Sequence, residues 1–152
     1  MAVDLGTTTI AAFLNDLHTG ELIEAGAVMN PQISYGEDLI SRLSYAHQHS
    51  DGEHTMALVV RQTLDGLLGE LVEKIGRHRR HIADICIVAN TAMTHLLLEL
   101  PVSQLAKAPY VAAVGTEMDV HAAELGLTMA PGAHVYIPPC IGGFVGADHV
   151  AM

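Results

Sequence analysis

The sequence predicts an α/β lobe in which a three-strand antiparallel meander is continued by parallel strands with helices on both faces. Three observations predict it. Residues 2–29 fall into three short, largely apolar runs separated by a Gly-Thr turn and an Asp/Gly turn, as consecutive antiparallel strands do. Residues 55–75 repeat apolar side chains at i, i+3, i+4 and i+7, the pattern of an amphipathic helix. Residues 82–89 are β-branched and uncharged except for Asp84, which suits a buried parallel strand.

Taken in order, 2–5 and 9–15 form two strands around a Gly-Thr turn. Residues 16–20 (DLHTG) make an Asp/Gly turn, and 21–29 return as a third strand. Asn30-Pro31-Gln32 ends the meander. A helix over 36–47 carries Leu39, Ile40 and Leu43 at helical spacing, and a polar loop at 50–53 leads into the helix 55–75. Its core-facing stripe is read as Leu58, Val59, Leu64, Leu67, Leu68, Leu71, Val72 and Ile75. After the strand 82–89, Asn90-Thr91 opens a helix that Pro101 stops near residue 100. A short helix is expected over 102–108, and residues 111–131 read as loop with a short helix over 121–125. A last strand at 134–137, a loop at 138–143 and the start of a helix at 144–152 complete the order. A meander feeding two right-handed strand–helix–strand crossovers is the plan of a ribonuclease-H-like lobe.

The bulk composition excludes several classes. Of 152 residues, 50% are apolar and 16% charged, enough for a core and too apolar for a disordered tail. The longest apolar stretch, 82–100, is interrupted by Asp84, Asn90, His95 and Glu99, short of the roughly 18 uninterrupted residues of a spanning helix. A net charge of −10 with seven Lys and Arg argues against nucleic-acid binding. The cluster Arg77-His78-Arg79-Arg80-His81 is read as a solvated helix end. Cys86 and Cys140 make no disulfide framework or metal cage, and Cys86 is expected to be a small buried hydrophobe. Among ten histidines the pair closest in sequence is His47 and His49, without a third ligand at helical spacing. The first residues already read as a strand, leaving no signal peptide, so the cytoplasm is the expected location.

Three constellations carry candidate chemistry. In Asp4-Leu5-Gly6-Thr7-Thr8-Thr9, a strand ends in an acid and turns on a glycine, which lets a phosphate approach backbone N–H groups and permits a positive φ. Thr7, Thr8 and Thr9 add hydroxyls, and Asp4 is placed to hold Mg²⁺ through water. The competing reading is an ordinary hairpin, and the segment lacks the Gly-Lys-Ser/Thr of a Walker A loop. Asn90-Thr91 follows a buried strand, where ligands bind in open α/β sheets, although Asn90 also suits a helix cap. Gly142-Gly143-Phe144-Val145-Gly146-Ala147-Asp148 again follows a strand. Gly143 and Gly146 suggest close approach to a ligand or a partner lobe. Asp148 is a candidate to orient a water or metal, or a first-turn acid facing a helix dipole. All three constellations are expected at one edge of one sheet.

VDLGTTTIAAFLNDLHTGE, MNPQISYGEDLISRL, VANTAMTHLLL, APYV and PPCIGGFVGADHVA together resemble the actin-like ATPase region of the reductive activators of corrinoid proteins. These are iron–sulfur ATPases that recharge cobalamin-dependent methyltransferase systems. The resemblance implies a parent protein with a ferredoxin-like [2Fe–2S] domain, a linker and middle domain, and two actin-like lobes with ATP or ADP and Mg²⁺ between them. It matches Asp4, Gly6, Thr7 and Thr8 to the first phosphate motif and places Asp148 in the helix joining the lobes. ATP hydrolysis would then drive an uphill electron transfer from the cluster to Co(II) of a partner corrinoid protein.

The departures from the family are specific. Four clustered cysteines, a second Asp-x-Gly-Thr strand and an adenosine-binding segment are all missing, and Ala89 stands where the family usually has Gly. The chain is therefore expected to be the first lobe alone, with weak nucleotide affinity, negligible catalysis and self-association through the face its partner lobe would cover. The alternatives are a sugar- or acetate-kinase-like phosphotransferase lobe and a non-catalytic interaction module of the same fold.

Overall fold

The first strand, β1 (Ala2–Leu5), buries Val3 and Leu5 and turns Ala2 and Asp4 the other way. It pairs antiparallel with β2 (Thr9–Asn15), which pairs antiparallel with β3 (Leu22–Met29), so the meander forms as its apolar runs and turns predict. The structure, a computed structural model, describes residues 1–143 and 145–149.

A proline-led 3-10 turn, Pro31–Tyr35, follows the meander, with Asn30 as its cap. Helix α1 (Leu39–Gln48) starts later than the spacing predicts because the Asp38 carboxylate accepts the Ser41 amide at 2.8 Å and sets the first turn there. Helix α2 (Gly52–Lys74) starts earlier, taking in the second half of the expected polar loop. Its buried stripe is Met56, Ala57, Val60, Leu64, Leu67, Leu68, Leu71 and Val72; Leu58, expected in the core, is exposed on the outer side.

The parallel strand β4 (Asp84–Ala89) lies beside β1, and α3 (Thr91–Leu98) returns to β6 (His134–Ile137), parallel to β4. Glu99 closes α3 in the left-handed conformation, two residues before Pro101. Residues 102–108 form turns instead of the expected helix, with Val102 and Leu105 buried. One strand was illegible in the sequence. β5 (Met118–His121) pairs antiparallel with β6 at the sheet edge, where Asp119 bonds His134 at 2.6 Å. Ala122–Leu125 is a 3-10 turn rather than an α-helix. Of the helix expected over 144–152, Ala147–His149 is a 3-10 turn, while 144 and 150–152 lie outside the described residues.

The six strands run β3-β2-β1-β4-β6-β5. Helices do not cover both faces among the described residues. The crossovers β3 to β4 and β4 to β6 step across the sheet in the same direction, and two right-handed crossovers taken in one direction land on one face. Accordingly α2 packs on α1, α3, β2 and β3. Val3, Leu5, Ile10, Ala12, Ile85, Ile87, Val135 and Ile137 form the sheet side of that core. The opposite face carries Asp4, Phe13, Cys86 and Tyr136, none of them fully buried; Cys86 is half-buried rather than enclosed.

The basic cluster is also less solvated than expected. Arg79 folds back along α2, pairs with the Asp65 carboxylate at 2.7 Å and lies over Gly69, where a Cβ would collide with its guanidinium. Among the described residues no helix is long and apolar enough to cross a membrane, and no group of three His, Cys, Asp or Glu could hold a metal ion.

Candidate functional site

The sheet order puts the carboxyl ends of β1, β4 and β6 side by side, and the three sequence constellations sit on those ends. The Asn90 Nδ2 donates to the Thr7 hydroxyl at 3.2 Å, joining the first constellation to the second. The Thr91 hydroxyl donates to the Gly142 carbonyl, joining the second to the third. Asp148 acts electrostatically on Asp4, closing the set.

In the β1–β2 hairpin, the Gly6 amide donates to the Thr9 carbonyl at 3.0 Å. A Cβ at Gly6 would sit 2.7 Å from that same oxygen. Glycine is therefore required by space, not by the positive φ anticipated from the sequence, since Gly6 is not among the residues with positive φ. Thr7 is half-buried, and Thr8 and Thr9 are exposed.

The hairpin is held from behind by two residues that sequence reasoning missed, Asn30 and Arg42, both fully buried. Asn30 Nδ2 donates to the Gly6 carbonyl at 2.9 Å, and its backbone amide donates to the Thr8 carbonyl at 2.8 Å. Arg42 Nη1 donates to the Thr7 carbonyl at 2.6 Å and Nε to the Gly36 carbonyl at 2.8 Å. The available signal was their place in MNPQISYGEDLISRL, one of the segments that carry the family resemblance.

Asn90 does both things left open for it. Its Oδ1 caps α3 by accepting the Met93 amide at 2.9 Å, while its Nδ2 reaches the hairpin. One turn on, buried His95 bonds the Thr91 carbonyl through Nδ1 at 2.8 Å and accepts the Ala113 amide at Nε2, 3.0 Å away. Burial keeps its imidazole below the ordinary histidine range, so the ring is a neutral tie. Gly143 and Gly146 have packing reasons within the chain. A Cβ at Gly143 would collide with the Tyr110 carbonyl, and one at Gly146 with the Ala89 carbonyl.

Asp4 and Asp148 supply the negative charge. Desolvation, then repulsion from Asp148, holds the Asp4 carboxyl above the ordinary carboxylate range. Two acids brought together in this way suit a cation. A hollow of about 600 Å³ lies beside Thr7, lined by Glu37, Asp38, Leu39 and Ile40 at the start of α1.

The sequence family described as the RACo middle region matches residues 1–152. The corrinoid activation enzyme RamQ of Eubacterium limosum is 30% identical over 152 residues, all of this chain and 26% of that protein. The solved structure of a reductive activator for corrinoid,iron-sulfur protein superposes with a TM-score of 0.94 at 32% identity, covering 98% of this chain and 24% of that one. The chain thus spans about a quarter of the length of these relatives.

Proposed function

The chain belongs to the RACo middle region family, and from that premise we propose that it is the first phosphate-binding lobe of an ATPase that reductively activates corrinoid proteins. The carrying observation is the convergence of three separated segments on one sheet edge through Thr7–Asn90, Thr91–Gly142 and Asp4–Asp148. The order β3-β2-β1-β4-β6 supports a ribonuclease-H-like lobe of the actin type, with β5 as an edge addition.

The residues present fit a magnesium nucleotide. The Thr7 and Thr8 amides have no hydrogen-bond acceptor among the described residues, which leaves them free for phosphate oxygens. The Thr8 and Thr9 hydroxyls are exposed beside them. Asp4 and Asp148 would hold Mg²⁺ through its water shell, which relieves their mutual repulsion. Asn90 and Thr91 tie the hairpin to Gly142. ATP supplies the free energy of phosphoryl transfer, which in this reading is spent on moving an electron to Co(II) of a corrinoid partner. A [2Fe–2S] cluster needs four ligands, and with only Cys86 and Cys140 here we place it outside this segment. A second lobe would face the hairpin and complete the site.

The test is ATP-dependent formation of Co(I) by a protein carrying this segment, followed by its absorbance. Asp4→Asn and Gly6→Val are expected to lower the rate by about a hundredfold, the scale of one lost electrostatic contact at a transition state. Wild-type rates in folded Asp4→Asn protein would overturn the reading.

A further inference from the structure

The hairpin amides are free because something turns their carbonyls inward. A trans peptide is planar, with its C=O and the following N–H pointing in opposite directions. The donors that hold the Gly6 and Thr7 carbonyls therefore also set the directions of the Thr7 and Thr8 amides. Those donors are Asn30 Nδ2 and Arg42 Nη1, at 2.9 and 2.6 Å. Asn30 is itself braced, since its Oδ1 accepts the Gln32 amide at 3.0 Å and Gln32 Nε2 donates to the Met56 carbonyl at 2.8 Å.

Arg42 adds charge to geometry. Its side chain is fully buried, it makes no ion pair among the described residues, and its Nη2 has no hydrogen-bond partner. Its bonds go to two backbone carbonyls and, weakly, to the Met93 sulfur at 3.8 Å. Asp38 acts on it electrostatically without forming an ion pair, and a buried cation so incompletely compensated is costly. An anion arriving at the Thr7 and Thr8 amides offsets that cost across a single peptide unit.

We infer that Arg42, together with Asn30, is a positioning residue that aims the Thr7 and Thr8 amides at a phosphate and supplies the buried positive charge behind them. The inference rests on the phosphate reading above. It predicts that anion affinity depends on Arg42 beyond its contribution to folding.

The experiment is a titration of this chain with magnesium pyrophosphate at millimolar concentration, followed by amide NMR, with thermal melts alongside. In the wild type the Thr7 and Thr8 amides are expected to shift. Arg42→Gln is expected to weaken binding by about tenfold, the consequence of losing one charge-assisted hydrogen bond. Arg42→Lys keeps the charge and is expected to recover part of that loss. Arg61→Gln is the control, because Arg61 also bonds a backbone carbonyl, that of Leu97, away from the hairpin. It should lower the melting temperature and leave the affinity unchanged.

A folded Arg42→Gln protein with wild-type affinity would overturn the role of Arg42 alone. Absence of any Thr7 or Thr8 response in the wild type would overturn the phosphate reading with it. Should Arg42→Gln not fold, the wild-type Arg42 side-chain resonances decide. Anion binding polarises the Thr7–Thr8 peptide and strengthens its bond to Arg42, so unmoved guanidinium resonances at saturation would also refute the proposal.

Discussion

Asp4 holds a carboxylate where partial burial and the neighbouring Asp148 both oppose its charge. Its folded pKa is raised, so the folded state holds the proton to higher pH than the unfolded chain does. Stability therefore falls as pH climbs from the ordinary carboxylate value of about 3.9 through the raised folded value, and the penalty is complete above it. Asp4→Asn removes that penalty. The variant is expected to melt higher than the wild type at pH 7, and the gain should vanish below about pH 3.9, where both side chains are neutral. Melting curves across that range test it, and a lower melting temperature at pH 7 would show that Asp4 stabilises the fold. The same substitution is expected to slow Co(I) formation by about a hundredfold, so stability and function pull in opposite directions at one residue. Asp4 was legible because its motif is contiguous. Arg42 was not, because a cation in a helix reads as solvent-facing until the hairpin is seen to pack on it.

Within α2, two glycines serve opposite ends of the same argument. Gly52 begins the helix where it meets α1, and a Cβ there would sit 2.6 Å from the Ala46 carbonyl. Gly66 lies mid-helix with nothing within 4 Å of the place a Cβ would take. Gly66→Ala is expected to stabilise the chain by about 0.5–1 kcal/mol through helix propensity. Gly52→Ala should destabilise it by about 1–3 kcal/mol, the usual cost of forcing an atom into packed structure. Urea unfolding of the two variants decides the matter, and a shared sign would contradict the packing described. The long helix was readable because its periodicity extends over six turns. β5 was not, since four residues of mixed polarity gain their identity only from pairing with β6.

At the scale of the molecule, all three helices lie on one face of the sheet, and the other is uncovered among the described residues. Exposed Phe13, Met29 and Tyr136 lie along it by strand alternation, with half-buried Cys86 and Val88 between them. Contiguous apolar surface left in water favours association. The chain studied alone is expected to self-associate through this face as its concentration rises. Light scattering after size exclusion is the check, and a clean monomer at high concentration would refute it. Phe13→Glu should shift the distribution toward monomer.

By itself the sequence determined whatever depends on near neighbours. Turn residues between apolar runs marked the meander, the 3.6-residue period marked α2, and three contiguous motifs marked Asp4, Thr7, Asn90 and Asp148 as candidate site residues. Only the tertiary structure decided which face the helices occupy, because handedness acts on crossover direction, which is unknown until strand order is known. It alone put Asn30 and Arg42 beneath the hairpin, because partners 24 and 35 residues apart leave no periodic trace in the chain.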